Sequence, residues 1–254
     1  MIEARQALSK IPAVTTIFWI EKICATTLGE TAGDLLSMTL QVGYALSSVI
    51  LIGFFFATVM AQMITDRYRP ALYWSVILST STAGTTMSDY MDRTLALGYA
   101  TGSAILVSIL ISIFLIWRLS GRSLSVAHIS DGKIEGLYWT AILFSNTLGT
   151  ALGDFLADDS GLGFAGGALL IAGLLMLVLL ATYFRRISRV FLFWVAFVLT
   201  RPFGATLGDV LTKAPARGGF GFGTLGSSLI LGGVLTALVL YELRLRQQRA
   251  PHPT

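Results

Sequence analysis

The chain has 254 residues, of which 54% are hydrophobic and 13% are charged, and its formal net charge is +4. A soluble domain carries about 25% charged residues, so this composition excludes an ordinary globular protein and indicates an integral membrane protein. We expect no nucleic acid as a partner, because the positions of the basic residues are better explained as signals of membrane topology.

Eight apolar stretches are each long enough to cross a bilayer as a helix, which takes about 20 residues. Short breaks containing Arg, Pro, Gly or Asp separate them. They predict an all-α integral membrane protein with a single membrane domain over residues 1–254. The predicted spans are residues 13–34, 41–64, 70–90, 97–117, 134–155, 163–184, 189–210 and 222–243.

One motif recurs in the four odd-numbered spans. A tryptophan is followed ten residues later by a glycine and fifteen residues later by an aspartate. The tryptophans are Trp19, Trp74, Trp139 and Trp194, and the aspartates are Asp34, Asp89, Asp154 and Asp209. We predict four helical-hairpin repeats, residues 13–65, 68–118, 133–185 and 188–243. Because each hairpin has two spans, the repeats are parallel and should pack with pseudo-fourfold or nested twofold symmetry.

The Lys and Arg residues outside the spans fall unequally on the two sides of the membrane. Thirteen lie on the side that carries both termini, and three, Arg93, Lys213 and Arg217, lie on the other. The positive-inside rule therefore predicts that both termini are cytoplasmic and that the repeat aspartates lie near the outer face. The four tryptophans would then lie near the inner face, where we expect them to form an interfacial aromatic belt.

A stripe of carboxylates and hydroxyls marks one face of the odd spans. Glu30 and Thr27 precede Asp34 by four and seven residues, which places all three on one helix face. Such a stripe should face protein or water, so we expect the odd helices to face inward and the even helices outward. A carboxylate near a helix C-terminus is disfavoured by the macrodipole. Each aspartate therefore calls for a bound cation, a nearby Lys or Arg, a protonated carboxyl or a helix broken at the glycines.

An adjacent face of each odd span carries small residues four positions apart. This spacing lets helix backbones approach closely, so we predict a packing role for these residues. They are Gly29, Gly33, Gly84, Ser88, Gly149, Gly153, Gly204 and Gly208.

Three charged residues break the repeat inside the predicted spans: Glu21, Lys22 and Arg201. A charge at the middle of the bilayer costs roughly 2.5–3.5 kcal/mol, so a partner is expected. We expect Arg201 to pair with Glu30 or a repeat aspartate, and Glu21 to lie deeper as a proton or ion relay. The alternative is a purely structural ion pair between spans one and seven.

These residues form the candidate site for ion binding and translocation. Its members are Asp34, Asp89, Asp154, Asp209, Glu30, Glu21, Thr27, Thr82, Thr147, Arg201 and Lys22, and the four aspartates are the candidate metal ligands. Oxygen ligands favour a hard cation such as Mg²⁺, Mn²⁺, Ca²⁺, Na⁺ or a proton. We expect no organic cofactor, and a bound divalent cation is the one group that these residues suit.

The recurring patterns W-x14-D and G-x3-[GS]-D resemble those of a family of bacterial multispan membrane proteins, defined by a short internal repeat of unknown function. The resemblance covers about residues 13 to 243. It implies four copies of a two-helix repeat in a bacterial inner membrane, and it brings no known activity.

The sequence predicts a non-enzymatic transporter or channel for a small cation, either a hard divalent metal such as Mn²⁺ or Mg²⁺ or a proton- or Na⁺-coupled carrier. Membrane lipid is the other expected partner. The alternatives are a non-transporting sensor or assembly protein and, less favoured, an intramembrane aspartyl hydrolase, whose Gly-x-Gly-Asp signature is absent. The sequence leaves open the ion, the direction of transport, the choice between channel and carrier, and whether the chain forms a homo-oligomer.

Overall fold

A computed structural model describes residues 10–126, 129, 132–184 and 186–249. Within these ranges the chain forms eight α-helices and no β-strand, so the predicted all-α class is confirmed. The helices are α1 (Thr16–Asp34), α2 (Tyr44–Ile64), α3 (Pro70–Asp89), α4 (Tyr99–Leu119), α5 (Gly132–Asp154), α6 (Gly163–Ala181), α7 (Arg189–Thr212) and α8 (Gly223–Arg249).

Local sequence explains where the helices of a repeat begin and end. The Thr15 hydroxyl caps α1 by accepting a hydrogen bond from the backbone N–H of Phe18, and Pro70 occupies the first turn of α3. Helices α1, α3 and α5 each continue past the repeat aspartate as a five-residue π-helical turn. These turns are Leu35–Thr39, Tyr90–Thr94 and Phe155–Asp159. Gly43, with a φ of 80°, then starts α2 in a backbone conformation that other residues rarely adopt.

The odd-numbered helices form a closed inner ring. Each of α1, α3, α5 and α7 packs on the next, and α7 returns to pack on α1. The even-numbered helices lie outside this ring. This is the division that the polar stripes predict, with the hydroxyls and carboxylates of the odd helices buried in the protein interior.

The description of each repeat as a helical hairpin is wrong in one respect. The two helices of a repeat scarcely contact each other. Instead, α2 packs on α3, α4 on α5 and α6 on α7, while α8 closes the circle on α1. Each outer helix therefore covers the inner helix of the following repeat.

The glycine of each inner helix contacts the following inner helix in a single register. A β-carbon added to the glycine would collide with the residue seven positions after the tryptophan of the next repeat. These pairs are Gly29 with Ser81, Gly84 with Asn146, Gly149 with Arg201 and Gly204 with Thr26. The second small residues pack similarly: Gly33 on Thr85, Gly153 on Ala205 and Gly208 on Glu30. A shared register places equivalent residues of the four parallel helices at the same level.

The predicted interfacial belt is wrong for three of the four tryptophans, and Trp19 is half-buried. Trp74 and Trp139 are each 2% exposed, and Trp194 is 6% exposed. They pack in an aromatic cluster at the N-terminal end of the ring, where the hydroxyls of Tyr73 and Tyr138 lie 2.9 Å apart. The reason is that each inner helix turns the same face toward the ring, and the tryptophan lies on that face.

Five helices are long and apolar enough to cross a membrane: α2, α4, α6, α7 and α8. The outer helices expose large apolar side chains, among them Phe54, Leu169 and Leu229. Helices α1, α3 and α5 are long enough, but they carry the polar side chains that the ring encloses. The molecule thus has an apolar surface and a polar interior, which is the distribution of a membrane protein.

The glycine contacts predict that Gly84→Ala destabilises the ring. The new methyl group would lie 2.9 Å from backbone atoms of Asn146 and Thr147, so the helices must separate, at a cost of roughly 1–3 kcal/mol. Thermal unfolding in detergent measures the loss. The control is Gly53→Ala in α2, where nothing lies within 4 Å and the higher helix propensity of alanine should leave stability equal or higher. Equal stability of the two variants would contradict the contact.

Candidate ion-binding site

The four repeat aspartates lie together at the C-terminal end of the inner ring. All are buried, with exposures between 2% and 5%. Their common level follows from the shared helix register. One helical turn below them lies a layer of four equivalent residues: Glu30, Thr85, Thr150 and Ala205. A carboxylate-rich end of the ring is therefore stacked on a layer that holds one further carboxylate.

Two basic residues bridge the aspartates in pairs and offset part of their negative charge. Arg93 Nε lies 3.0 Å from Asp89 Oδ1, and Arg93 Nη2 lies 3.1 Å from Asp154 Oδ2. Lys213 Nζ lies 3.0 Å from Asp209 Oδ1 and 3.4 Å from Asp34 Oδ2. Asp89 Oδ1 accepts no hydrogen bond from the described residues, so its contact with Arg93 is electrostatic. Of the compensations that the sequence suggests for the aspartates, a nearby Lys or Arg is thus present.

Arg93 and Lys213 occupy the same position of the repeat, nineteen residues after the tryptophan in copies two and four. Copies one and three have Met38 and Asp158 there. The charge of Arg93 and Lys213 indicates only membrane topology when the sequence is taken alone, so their role as site residues was not predicted. Their equivalent positions in alternate copies are the signal that identifies them. They give this end of the ring an approximate twofold arrangement of charge.

The two bridging cations differ in how firmly they are held. Arg93 also donates hydrogen bonds to the hydroxyls of Tyr44 and Tyr99, each at 3.1 Å. Burial lowers the pKa of Lys213, but the carboxylates of Asp209 and Asp34 raise it by more. The pKa of the ammonium therefore lies above its usual range. Lys213 follows α7 in a linker, and among the described residues its ammonium contacts only the two carboxylates. Both side chains reach solvent, with Arg93 30% and Lys213 22% exposed, so Lys213 differs in having fewer bonds and not in its exposure.

Below the aspartates, the guanidinium of Arg201 lies across the ring. It is fully buried and donates to Glu30 Oε2 at 2.9 Å, Thr85 Oγ1 at 2.6 Å and Thr150 Oγ1 at 2.7 Å. A longer bond of 3.4 Å reaches the carbonyl of Thr26. One side chain from α7 thus bonds to each of the other three inner helices. The expected pair between Arg201 and Glu30 is present.

Among the described residues, one group of three carboxylates has the spacing of a metal site. The group comprises Glu30, Asp34 and Asp209, and one carboxylate oxygen of each residue lies within 4.8 Å of the other two. Asp89 and Asp154 do not belong to this group, so the four predicted metal ligands are not equivalent. The site that could hold a hard cation lies between repeats one and four, where Lys213 bridges two of its three carboxylates.

The predicted threonines line the same buried stripe. Thr27, Thr82 and Thr147 each donate to the backbone carbonyl four residues earlier, at 2.9, 3.1 and 3.0 Å. Their hydroxyl hydrogens are therefore used within the helix, and only their oxygen lone pairs remain for a ligand.

The structure does not bring Glu21 or Lys22 to the aspartates. Glu21 is 1% exposed and lies toward the other end of α1, where its charged neighbours are Glu242 and Arg246 of α8. Lys22 is fully buried, and its Nζ lies 4.1 Å from the centroid of the Phe197 ring. These two residues belong to separate environments, and neither is a ligand of the three-carboxylate group.

The geometry of Arg201 predicts a rescue by a second substitution. Arg201→Ser leaves Glu30 buried without its cation, and we expect a loss of about 3–5 kcal/mol in thermal unfolding. The double variant Glu30→Thr/Arg201→Ser installs the residues that repeat two carries as Thr85 and Ser81. We expect it to regain much of the lost stability. A double variant as unstable as the single one would contradict a charge-pairing role and indicate that Arg201 acts by filling space.

Comparison with known protein families finds four matches to one repeat, described as Repeat of Unknown Function (DUF347). The matches cover residues 17–68, 72–123, 137–188 and 192–248. No curated protein matches the chain, and no solved structure matches it. The four-copy repeat that the sequence predicts is thus confirmed, and the chain belongs to the family of proteins built from this repeat of unknown function.

Proposed function

We propose that this protein is a carrier for a small cation in the bacterial inner membrane. In this proposal all eight helices span the bilayer, both termini are cytoplasmic, and the aspartate end of the ring faces outward. The distribution of Lys and Arg supports that orientation. The substrate would be a hard divalent metal such as Mn²⁺ or Mg²⁺, or Na⁺ or a proton.

One observation carries the proposal: the buried group of Glu30, Asp34 and Asp209. Three carboxylates so close together repel one another unless a cation lies among them. The ammonium of Lys213 already lies between two of them, so the site accommodates a positive charge. An arriving metal ion or proton would replace this ammonium, which can move toward solvent because it lies in a linker.

The position of Arg201 favours a carrier over an open channel. Its guanidinium is fully buried and bonded to the other three inner helices, so the ring is closed below the three-carboxylate group. A cation that binds the carboxylate of Glu30 would compete with Arg201 for it. Movement of Arg201 away from Glu30 would then be the step that couples cation binding to opening of the ring.

We expect Asp34→Asn and Asp209→Asn to reduce cation flux into proteoliposomes by at least about tenfold, because each removes one of three charged ligands. Flux of Mn²⁺, Mg²⁺, Na⁺ and H⁺ would be measured separately. Asp66→Asn is the matched control, since Asp66 is an exposed loop carboxylate at the other end of the bundle. Wild-type flux in both site variants would overturn the proposal and favour a non-transporting sensor or assembly protein.

We expect Lys213→Gln to lower the KM for the transported cation several-fold, because the ammonium that competes for Asp34 and Asp209 is removed. Arg93→Gln is the comparison, and it should leave KM nearly unchanged, since Arg93 bridges the two aspartates outside the three-carboxylate group. The measurement is initial flux as a function of cation concentration. A higher KM in Lys213→Gln would show that Lys213 assists binding, contrary to the proposed competition.

A further inference from the structure

The side-chain nitrogen of Lys22 is buried without a hydrogen-bond acceptor among the described residues. The side chain is fully buried, and no oxygen in the described part of the chain accepts a hydrogen bond from its Nζ. Its nearest recorded contact is the face of the Phe197 ring, at 4.1 Å. A cation–π contact stabilises an ammonium by about 2 kcal/mol when desolvated, which is less than the cost of burying an unpaired charge. The environment of Lys22 therefore lacks a negative partner.

Arg201 also has a buried N–H donor without an acceptor, the one on Nε. Its Nε is buried and has no hydrogen-bond partner among the described residues, although its Nη atoms are bonded. Phe197 precedes Arg201 by four residues on α7, and Lys22 precedes Thr26, whose carbonyl contacts Arg201, by four residues on α1. The backbone of Lys22 therefore lies one turn, about 5 Å along the axis, below the level at which the Arg201 backbone joins the ring, while the guanidinium extends upward toward Glu30.

The charges in this part of the ring do not balance when Lys22 is protonated. Arg201 is a cation, and Glu30 is the one carboxylate that it contacts. The other residues at the level of Lys22 are apolar and fully buried: Ile77, Ile142 and Phe197. A protonated Lys22 would therefore need a negative partner from outside the described residues. Two buried N–H donors without an acceptor match the requirements of an anion and not those of a cation.

We infer that a small monovalent inorganic anion, of the size of chloride, binds between Lys22 Nζ and Arg201 Nε. Packed side chains around Lys22 favour a monatomic ion over a carboxylate or phosphate. The anion would complete the charge balance of the ring interior. This inference goes beyond the proposed cation transport and does not depend on it, because the anion site lies on the side of the Arg201 guanidinium that is turned away from the aspartates.

The test measures the melting temperature of the purified protein in detergent. Sodium gluconate is replaced stepwise by sodium fluoride, chloride, bromide or nitrate at constant ionic strength. We expect a saturable rise of roughly 4–8 °C with at least one of these anions, because a ligand that binds only the native state stabilises it. We expect Lys22→Met to abolish this dependence. Lys10→Met is the matched control and should retain it, because Lys10 is paired with Glu135 elsewhere.

Two results would overturn the inference. One is a melting temperature that does not change with any anion, as expected if Lys22 is neutral or is bridged to its neighbours by water. The other is an anion dependence that persists in Lys22→Met. If that variant does not fold, crystals of the wild-type protein grown in bromide decide the question by anomalous scattering. A bromide peak in contact with Lys22 Nζ would support the site, and its absence would exclude it.

Discussion

The hydrogen bonds of Arg201 join all four inner helices at one level, and the arrangement around them depends on that junction. The stem of the side chain packs on Gly149, where any larger residue would block its path into the ring. A buried ion pair adds little net stability, because desolvation offsets the Coulomb attraction. Its physical effect here is to select a register, since a shift of one residue in any helix would leave the guanidinium or Glu30 without its partner.

The aspartate end of the ring meets an electrostatic constraint of a different kind. Four carboxylates at equivalent positions would repel one another, and each lies toward the negative end of a helix dipole. Arg93 and Lys213, which alternate copies contribute, each bridge one pair of them and offset part of the charge. The pairs are chemically unequal. Hydroxyl groups also bind Arg93, whereas the side chain of Lys213 has only carboxylate partners in the part of the chain that the structure describes, with a third carboxylate below it. A fourfold scaffold thus acquires a single distinct site.

The inner and outer helices place their polar and apolar side chains in opposite directions. The outer helices expose apolar side chains and have little polar surface, whereas α1, α3 and α5 enclose hydroxyls and carboxylates that lipid would not solvate. Each outer helix covers the inner helix of the following repeat, so the four repeats are interlocked around the ring. No repeat can leave the ring without exposing the polar face of its neighbour.

Sequence by itself determined the four-copy repeat, the all-helical class, the inward direction of the polar stripe and the small residues at the helix contacts. Each is a periodic property, and four copies of a period reveal it without knowledge of distances. The pair between Arg201 and Glu30 was one of two predicted outcomes, because Arg201 lies inside a span and a buried charge needs a partner, either Glu30 or a repeat aspartate.

Only the tertiary structure decided which outer helix covers which inner helix and which aspartates share a cation. It also decided that Trp74, Trp139 and Trp194 lie in the core. These features depend on distances between segments that are far apart in the chain, and the repeat makes several pairings equally consistent with the sequence. Arg93 and Lys213 illustrate the reason: their charge suggested topology, and only their positions between pairs of aspartates showed their role in the site.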